Sequence, residues 1–250
     1  MKAKNLVLIT GCNGGVGSVL CRRFKGAGFF VIGTDFQPKS ISGPDTYLQC
    51  DLEKFSQDEE LQEEFRSWVL GIVGDQAGRL KALINNAAYQ VVAELKELSV
   101  REFGKSQYIN LVAPFAMIRL FQDELRISEG SVVNIGSIHS KLTKPGFSAY
   151  STSKAGLSAM TRALAVELGS ELRINTVVPA AIRTEMLAAG FGNEADKLAQ
   201  LEKYHPAGRI AEPDEIADIS LFLCSDKAGF INGAEISVDG AIGGRLHDPS

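Results

Sequence analysis

The stretch LVLITGCNGGVGSVL, Leu6 to Leu20, runs from an apolar segment into Gly11, Gly14, Gly15 and Gly17 and then into residues that suit a helix. Glycines at such a turn accept positive φ and bring bare backbone N–H groups to a helix N-terminus, whose dipole favours an anion. A plain tight turn would show the same cluster. Its surroundings decide: the cluster follows the first strand-like run, opens a helix, and is followed 20 residues after Gly15 by Asp35, beyond the second apolar run FFVIGT. The stretch therefore predicts strand, phosphate-binding turn and helix, the first unit of a dinucleotide-binding α/β fold.

Working outward, short apolar runs recur at 6–10, 29–34, 47–50, 82–85, 131–136, 173–178 and 234–239. They are strand-length and rich in β-branched residues, with little inside/outside alternation, as expected of strands covered on both faces. Helical segments are expected between them at 15–27, 56–73, 99–126, 148–169 and 212–225. Repeated strand and helix imply right-handed crossovers, hence a Rossmann-type, doubly wound, mostly parallel sheet of seven strands with helices on both faces. No linker, charge block or repeat divides residues 1–250, which are expected to form one domain. The loop 86–98 and the long connection 179–211 interrupt the rhythm, and a substrate-binding lid is expected at about 185–208.

Composition narrows the function. With 45% hydrophobic residues the chain can bury a large core, and 26 Lys+Arg against 30 Asp+Glu, a formal −4, leave no footprint for nucleic acid or an anionic membrane. The expected partner is a small molecule or another protein. The opening MKAKNLVLIT has too short an apolar run for a signal peptide, and no stretch approaches the roughly 18 apolar residues of a membrane span. Cys12, Cys21, Cys50 and Cys224 form no CxxC pair, which suits a reducing compartment, so a cytoplasmic location is expected. His139, His205 and His247 lie far apart with no ligand at metal spacing, so no metal is expected.

Asp35 also bears on the choice of dinucleotide. A carboxylate there can accept hydrogen bonds from both adenosine ribose hydroxyls and would repel a 2′-phosphate, and neither Gly14 nor Phe36 supplies a compensating base. NAD is expected over NADP. Asp51, after the third strand, either accepts from the adenine amino group or caps a helix.

Further motifs follow in order: Thr10, Gly11, Gly15 and Gly17 as TGxxxGxG; NNAA at Asn85 to Ala88; Asn110; Ser137; Tyr150 and Lys154 as YxxxK; and NTVVPAAIRTEM near the sixth strand. With these the chain resembles the short-chain dehydrogenase/reductase family, in its compact single-domain branch, over residues 5–243. The resemblance implies catalytic Asn110, Ser137, Tyr150 and Lys154. It implies a cofactor surface of Thr10, Gly11, Asn13, Gly15, Val16, Gly17, Asp35, Phe36, Asp51, Leu52, Asn86, Ala87, Ala88, Tyr150, Lys154, Pro179, Ile182 and Thr184. Ile182 would meet the nicotinamide carboxamide through its backbone, and Thr184 the pyrophosphate side. Three positions depart from the family pattern: Ala88 for the last glycine of NNAG, Gly136 where a second serine is common, and Ala180 for the glycine of PG.

The chemistry can be argued from the side chains. A phenol with a pKa near 10 is a poor base at neutral pH unless its anion is favoured. Residues at i and i+4 share a helix face, so Lys154 can bring its ammonium near Tyr150 and stabilise phenolate. Tyr150 would then take or give the alcohol proton while hydride moves to or from the nicotinamide. Ser137 either hydrogen-bonds the reacting oxygen or is a cap or turn serine. Asn110 sits mid-helix, where asparagine is unfavourable. The resemblance gives it a water that relays protons from Lys154; otherwise it marks a local kink or a polar surface.

Tyr89, Gln90, His139, Lys141, Arg183 and the lid are expected to line the mouth, with Ser137, His139, Gln90, Tyr150 and Arg183 touching substrate. The basic residues suggest a polar, anionic or sugar-like alcohol or carbonyl, unless Lys141 and Arg183 are solvated loop charges. Small side chains from Ser148 to Ala159 would let another helix approach closely, and the resemblance implies homo-oligomers, with a homotetramer expected and a dimer the alternative. Two other readings compete: a sugar-nucleotide epimerase or dehydratase with tightly bound NAD, and a dinucleotide-sensing protein without turnover.

Overall fold

The structure, a computed structural model, describes residues 3–41, 43–190 and 195–246. Among them seven strands form one parallel sheet in the order β3-β2-β1-β4-β5-β6-β7. The strands are β1 (Lys4–Thr10), β2 (Phe30–Asp35), β3 (Thr46–Gln49), β4 (Gly78–Asn85), β5 (Ser131–Ile135), β6 (Arg173–Pro179) and β7 (Glu235–Val238). The helices are α1 (Gly15–Gly26), α2 (Leu52–Phe55), α3 (Glu59–Asp75), α4 (Val100–Gln107), α5 (Ala113–Ile127), α6 (Ser148–Leu168), α7 (Glu185–Gly190), α8 (Ala195–Tyr204) and α9 (Pro213–Leu223). The expected Rossmann-type sheet is present, with each strand within a few residues of its expected place.

Alternation within the strands explains the two layers. In β1, Leu6 and Leu8 pack into a cluster with Phe55, Phe65 and Phe121, whereas Val7 and Ile9 pack with Leu20, Phe24 and Ile216. One face is thus covered by α3, α5 and α6 and the other by α1 and α9. Burying a leucine or phenylalanine completely is worth about 1.5–3 kcal/mol, so both faces must be covered for these strands to be stable.

The 99–126 segment is not one helix. A π turn at Tyr108–Val112 separates α4 from α5. Pro114 accounts for it: proline has no N–H to donate to the Asn110 carbonyl four residues back, and its ring crowds that carbonyl. The 179–211 connection is likewise not a plain loop, because it contains α7 and α8; residues 191–194 of the expected lid and His247 lie outside the described residues.

Behind the site a polar chain crosses the core. Asn85 Nδ2 donates to Asn134 Oδ1 at 2.8 Å, Asn134 Nδ2 to Thr161 Oγ1 at 2.9 Å, and Thr176 Oγ1 to Thr161 Oγ1 at 2.8 Å. Thr161 completes its valence by donating to the Leu157 carbonyl at 2.9 Å. The chain joins β4, β5 and β6 to α6, and all four side chains are buried. Asn134→Ala would leave the buried Asn85 amide without its acceptor, at about 1–3 kcal/mol, while the Thr161 hydroxyl keeps Thr176 and the Leu157 carbonyl. Urea unfolding of that variant should show a loss of about 1–3 kcal/mol with an unchanged m-value.

Candidate active site

The strand order reverses between β1 and β4, and a crevice opens there at the strand C-termini. Its two lips are sewn together. Thr10 Oγ1 accepts from the N–H groups of Asn86 at 3.0 Å and Ala87 at 3.1 Å, and Asn86 Nδ2 donates to the carbonyls of Thr10 and Gly11, both at 3.0 Å. The approach is close enough to demand glycine: Gly11 has φ +64°, and a Cβ on it would lie 2.7 Å from Ala87 Cα. At Gly17 a Cβ would meet the Gly11 carbonyl at 2.0 Å.

Helix α1 begins at Gly15 with Gly14 as its cap residue, no side-chain cap and no acidic residue in its first turn. Its first N–H groups are therefore suited to an anion. Thr184 stands opposite, since a Cβ on Gly15 would come 2.9 Å from Thr184 Cγ2. Thr184 Oγ1 accepts from Leu187 N at 3.3 Å, and Ile182 bridges to Ala211. Pro179 is buried at the end of β6, and Ile182 and Thr184 follow it toward the start of α1.

Asp35 is buried at the end of β2 and tied to the turn: Oδ2 accepts from Asn13 N at 3.1 Å and Oδ1 from Gln37 N at 3.4 Å. The Asn13 side chain adds a second tie, donating to Gln37 Oε1 at 3.2 Å and Lys39 O at 3.0 Å and accepting from Ile41 N at 2.9 Å. Sequence reasoning assigned Asn13 to the cofactor surface and missed this staple. Asp51 accepts from Glu53 N at 3.0 Å, so it caps α2, while Leu52 enters the core and Phe36 is 71% exposed.

Ser137, Tyr150 and Lys154 come together beyond β5. The Ser137 hydroxyl hydrogen-bonds the Tyr150 phenol and accepts from His139 N at 3.2 Å. The Lys154 ammonium donates to the Ile135 carbonyl at 2.7 Å and lies 5.7 Å from the Tyr150 ring centroid. The expectation that Lys154 lowers the phenol is not met in this arrangement. Burial pushes Tyr150 up to about 12, against the opposing hydrogen bond from Ser137, and burial pulls Lys154 down to about 8. Dry packing outweighs the pairing: burial shifts each group toward its neutral form, although Lys154, at about 8, still holds its proton at neutral pH.

Asn110 lies in the π turn with its amide fully used. Its Oδ1 accepts from Tyr89 N at 2.7 Å, and its Nδ2 donates to Tyr89 O at 2.9 Å, Ser153 Oγ at 2.9 Å and Ser106 Oγ at 3.3 Å. Ser153 in turn donates to the Tyr150 carbonyl at 2.7 Å. The buried asparagine therefore holds the NNAA loop against α6. Pro114, four residues on, is the sequence signal that marks its distorted turn.

Two basic residues expected at the mouth are otherwise engaged. Lys141 pairs with Glu235 at 2.7 Å, and Arg183 pairs with Glu202 and Glu212, each at 2.8 Å. The charge offered to an anionic substrate is thus met by carboxylates of the same chain. The Arg183 pairs instead tie α8 to the start of α9. Gln90 and Tyr89 are half-buried, and Tyr89 is anchored through its hydroxyl to Glu102. The departure at Gly136 has a steric reason, because a Cβ there would lie 2.6 Å from Thr176 Cγ2.

Asn110→Ala should release the loop rather than unfold the sheet. Hydrogen exchange at the Tyr89 amide should quicken by at least about tenfold while amides of β1 and β4 keep their protection.

A family model described as enoyl-(acyl carrier protein) reductase matches residues 11–242. The chain is 32% identical to Protein FixR of Bradyrhizobium diazoefficiens, over 94% of this chain and 85% of that one. It is 28% identical to meso-2,3-butanediol dehydrogenase of Serratia marcescens, over 94% and 93%. The ligand-free aldohexose dehydrogenase of Thermoplasma acidophilum superposes with a TM-score of 0.90 at 24% identity, covering 99% of this chain and 97% of that one, and shares its fold. With the ordered motifs and the matching sheet, this chain belongs to the short-chain dehydrogenase/reductase family of nicotinamide-dependent oxidoreductases.

Proposed function

We propose that the protein is an NAD-dependent oxidoreductase that interconverts a secondary alcohol and a carbonyl, with Tyr150 as general acid/base. The observation that carries this reading is the buried Ser137–Tyr150 hydrogen bond with Lys154 beneath the ring, set beside the uncapped start of α1. The residues present fit a dinucleotide. The N–H groups at Gly15 to Gly17 and Thr184 would hold the pyrophosphate, Asp35 the adenosine ribose, and Ile182 and Asn86 to Ala88 the nicotinamide end. Bound NAD+ would supply the hydride acceptor and a positive ring charge.

The proton chemistry belongs to the chain. Ser137 steadies the reacting oxygen, and Tyr150 takes the hydroxyl proton in oxidation or returns it in reduction. Burial opposes phenolate, so the Lys154 ammonium, held by the Ile135 carbonyl, is the protein's balancing charge. Asn110 fixes the loop that faces this pair. Asp35 supports NAD over NADP, because a 2′-phosphate would place like charge beside a buried carboxylate.

Tyr150→Phe should lower kcat/KM by about 10³-fold or more while leaving NADH affinity, read by fluorescence, unchanged. In the parent, the base must be deprotonated for oxidation, so kcat/KM should rise by about tenfold per pH unit between about pH 5 and 7, below the Lys154 value of about 8, where Lys154 keeps its proton. Reduction needs the protonated phenol and should be flat there. A Tyr150→Phe variant turning over at the parent rate would refute the mechanism. Asp35→Ser should move the ratio of NADP to NAD affinity upward by about tenfold or more; an unchanged ratio would remove the basis for NAD.

A further inference from the structure

Two residues beyond Ser137, the His139 ring is held on several sides. It stacks on Phe147 with centroids 4.3 Å apart and planes 5° from parallel, and it meets the Tyr150 ring edge-on at 5.8 Å. Its Nδ1 lies 3.0 Å from Thr143 Oγ1, its N–H is bound by Ser137 Oγ, and its carbonyl accepts from Ser151 Oγ at 2.8 Å. Among the described residues no protein group meets Nε2. If Nδ1 donates to Thr143, Nε2 is an acceptor; if Thr143 donates, Nε2 carries the hydrogen. In either tautomer a hydroxyl can satisfy it.

The surroundings select for neutrality. Burial first, then the charge of Lys144, pushes His139 down to about 4, so the ring is uncharged at neutral pH. Lys141 and Arg183 are paired with carboxylates, and exposed Lys144 lies over the Phe147 ring, 4.8 Å from its centroid. The Phe147 and Tyr150 rings, 6.4 Å apart, give an apolar wall beside these nitrogen and oxygen atoms.

We infer that His139 is a second oxygen-binding group of the site, which selects neutral substrates carrying a hydroxyl or carbonyl oxygen on the carbon next to the reacting one: vicinal diols and α-hydroxycarbonyl compounds. The inference rests on the reading of Tyr150 and Ser137 as the groups at the reacting oxygen. With that oxygen between them, the ring edge one side chain away is placed for its neighbour. A simple alcohol leaves Nε2 without a substrate partner, and a 2-hydroxy acid brings a carboxylate to a neutral ring.

The test compares propylene glycol, isopropanol and lactate with the parent, His139→Phe and His139→Gln. Phenylalanine keeps the stack on Phe147 and loses the nitrogens, whereas glutamine keeps hydrogen-bonding capacity and loses the stack. The parent should prefer propylene glycol to both other compounds. His139→Phe should lower kcat/KM for propylene glycol about 10–100-fold more than for isopropanol, chiefly through KM; His139→Gln should recover most of that difference. Equal losses on propylene glycol and isopropanol, no loss on either, or a parent that prefers lactate would overturn the inference. Failure of the oxidoreductase reading looks different: no parent turnover of any compound with NAD or NADP. In that case calorimetric titration of the NADH-loaded protein decides the recognition alone, and equal affinity of parent and His139→Phe for propylene glycol overturns it.

Discussion

The crevice depends on the stitch between Thr10–Gly11 and Asn86–Ala87. Strands β1 and β4 are neighbours whose following segments leave in opposite directions, so the sheet would be open to water at that seam. One threonine hydroxyl and one asparagine amide close it with four hydrogen bonds near 3 Å. The closure is tight enough that a Cβ on Gly11 has no room, and Gly11 also takes a positive φ. The start of α1 and the NNAA loop are thus parts of one rigid corner. The same corner reaches sideways to the end of β2, where the Asp35 carboxylate accepts the Asn13 N–H. The Asp35 carboxylate and the glycine turn are therefore fixed relative to each other by a direct bond.

Across the crevice the constraint is of a different kind. Ser137, Tyr150 and Lys154 sit in a pocket dry enough to push the phenol up and pull the ammonium down. Tyrosine and lysine one helical turn apart share a face, but a shared face does not make an ion pair when desolvation costs more than the Coulombic gain. The lysine instead finds the carbonyl at the end of β5, so its position is set by the sheet rather than by the tyrosine. Any added positive charge near the phenol would act on a proton already held in a low-dielectric setting, where such a charge has most effect.

Much of this was legible in the sequence because it depends on short-range rules. Alternating strand and helix, glycines at a strand-to-helix turn and a carboxylate at the next strand end are local patterns, and each lies within a few residues of its expected place. What was not legible depends on contacts distant in sequence. Arg183 looked available to a substrate until the fold brought Glu202 and Glu212 to it, and Lys141 until β7 brought Glu235. The Asn13 staple needs the loop after β2 to fold back over the turn. The broken helix had a local sign, Pro114, whose effect falls on Asn110 four residues earlier.

That proline links the two sides of the crevice. By denying the Asn110 carbonyl its helical donor, Pro114 forces the wider turn in which the Asn110 side chain lies buried between α6 and the loop after β4. Without the Asn110 amide the loop would lose its anchor at Tyr89. The helix defect is therefore what lets one side chain hold the NNAA loop, already stitched to Thr10 and Gly11, against the helix that carries Tyr150 and Lys154. The glycine turn and the Tyr150–Lys154 pair are joined through two asparagines, Asn86 and Asn110, and both must keep their hydrogen bonds for the two halves of the site to face each other.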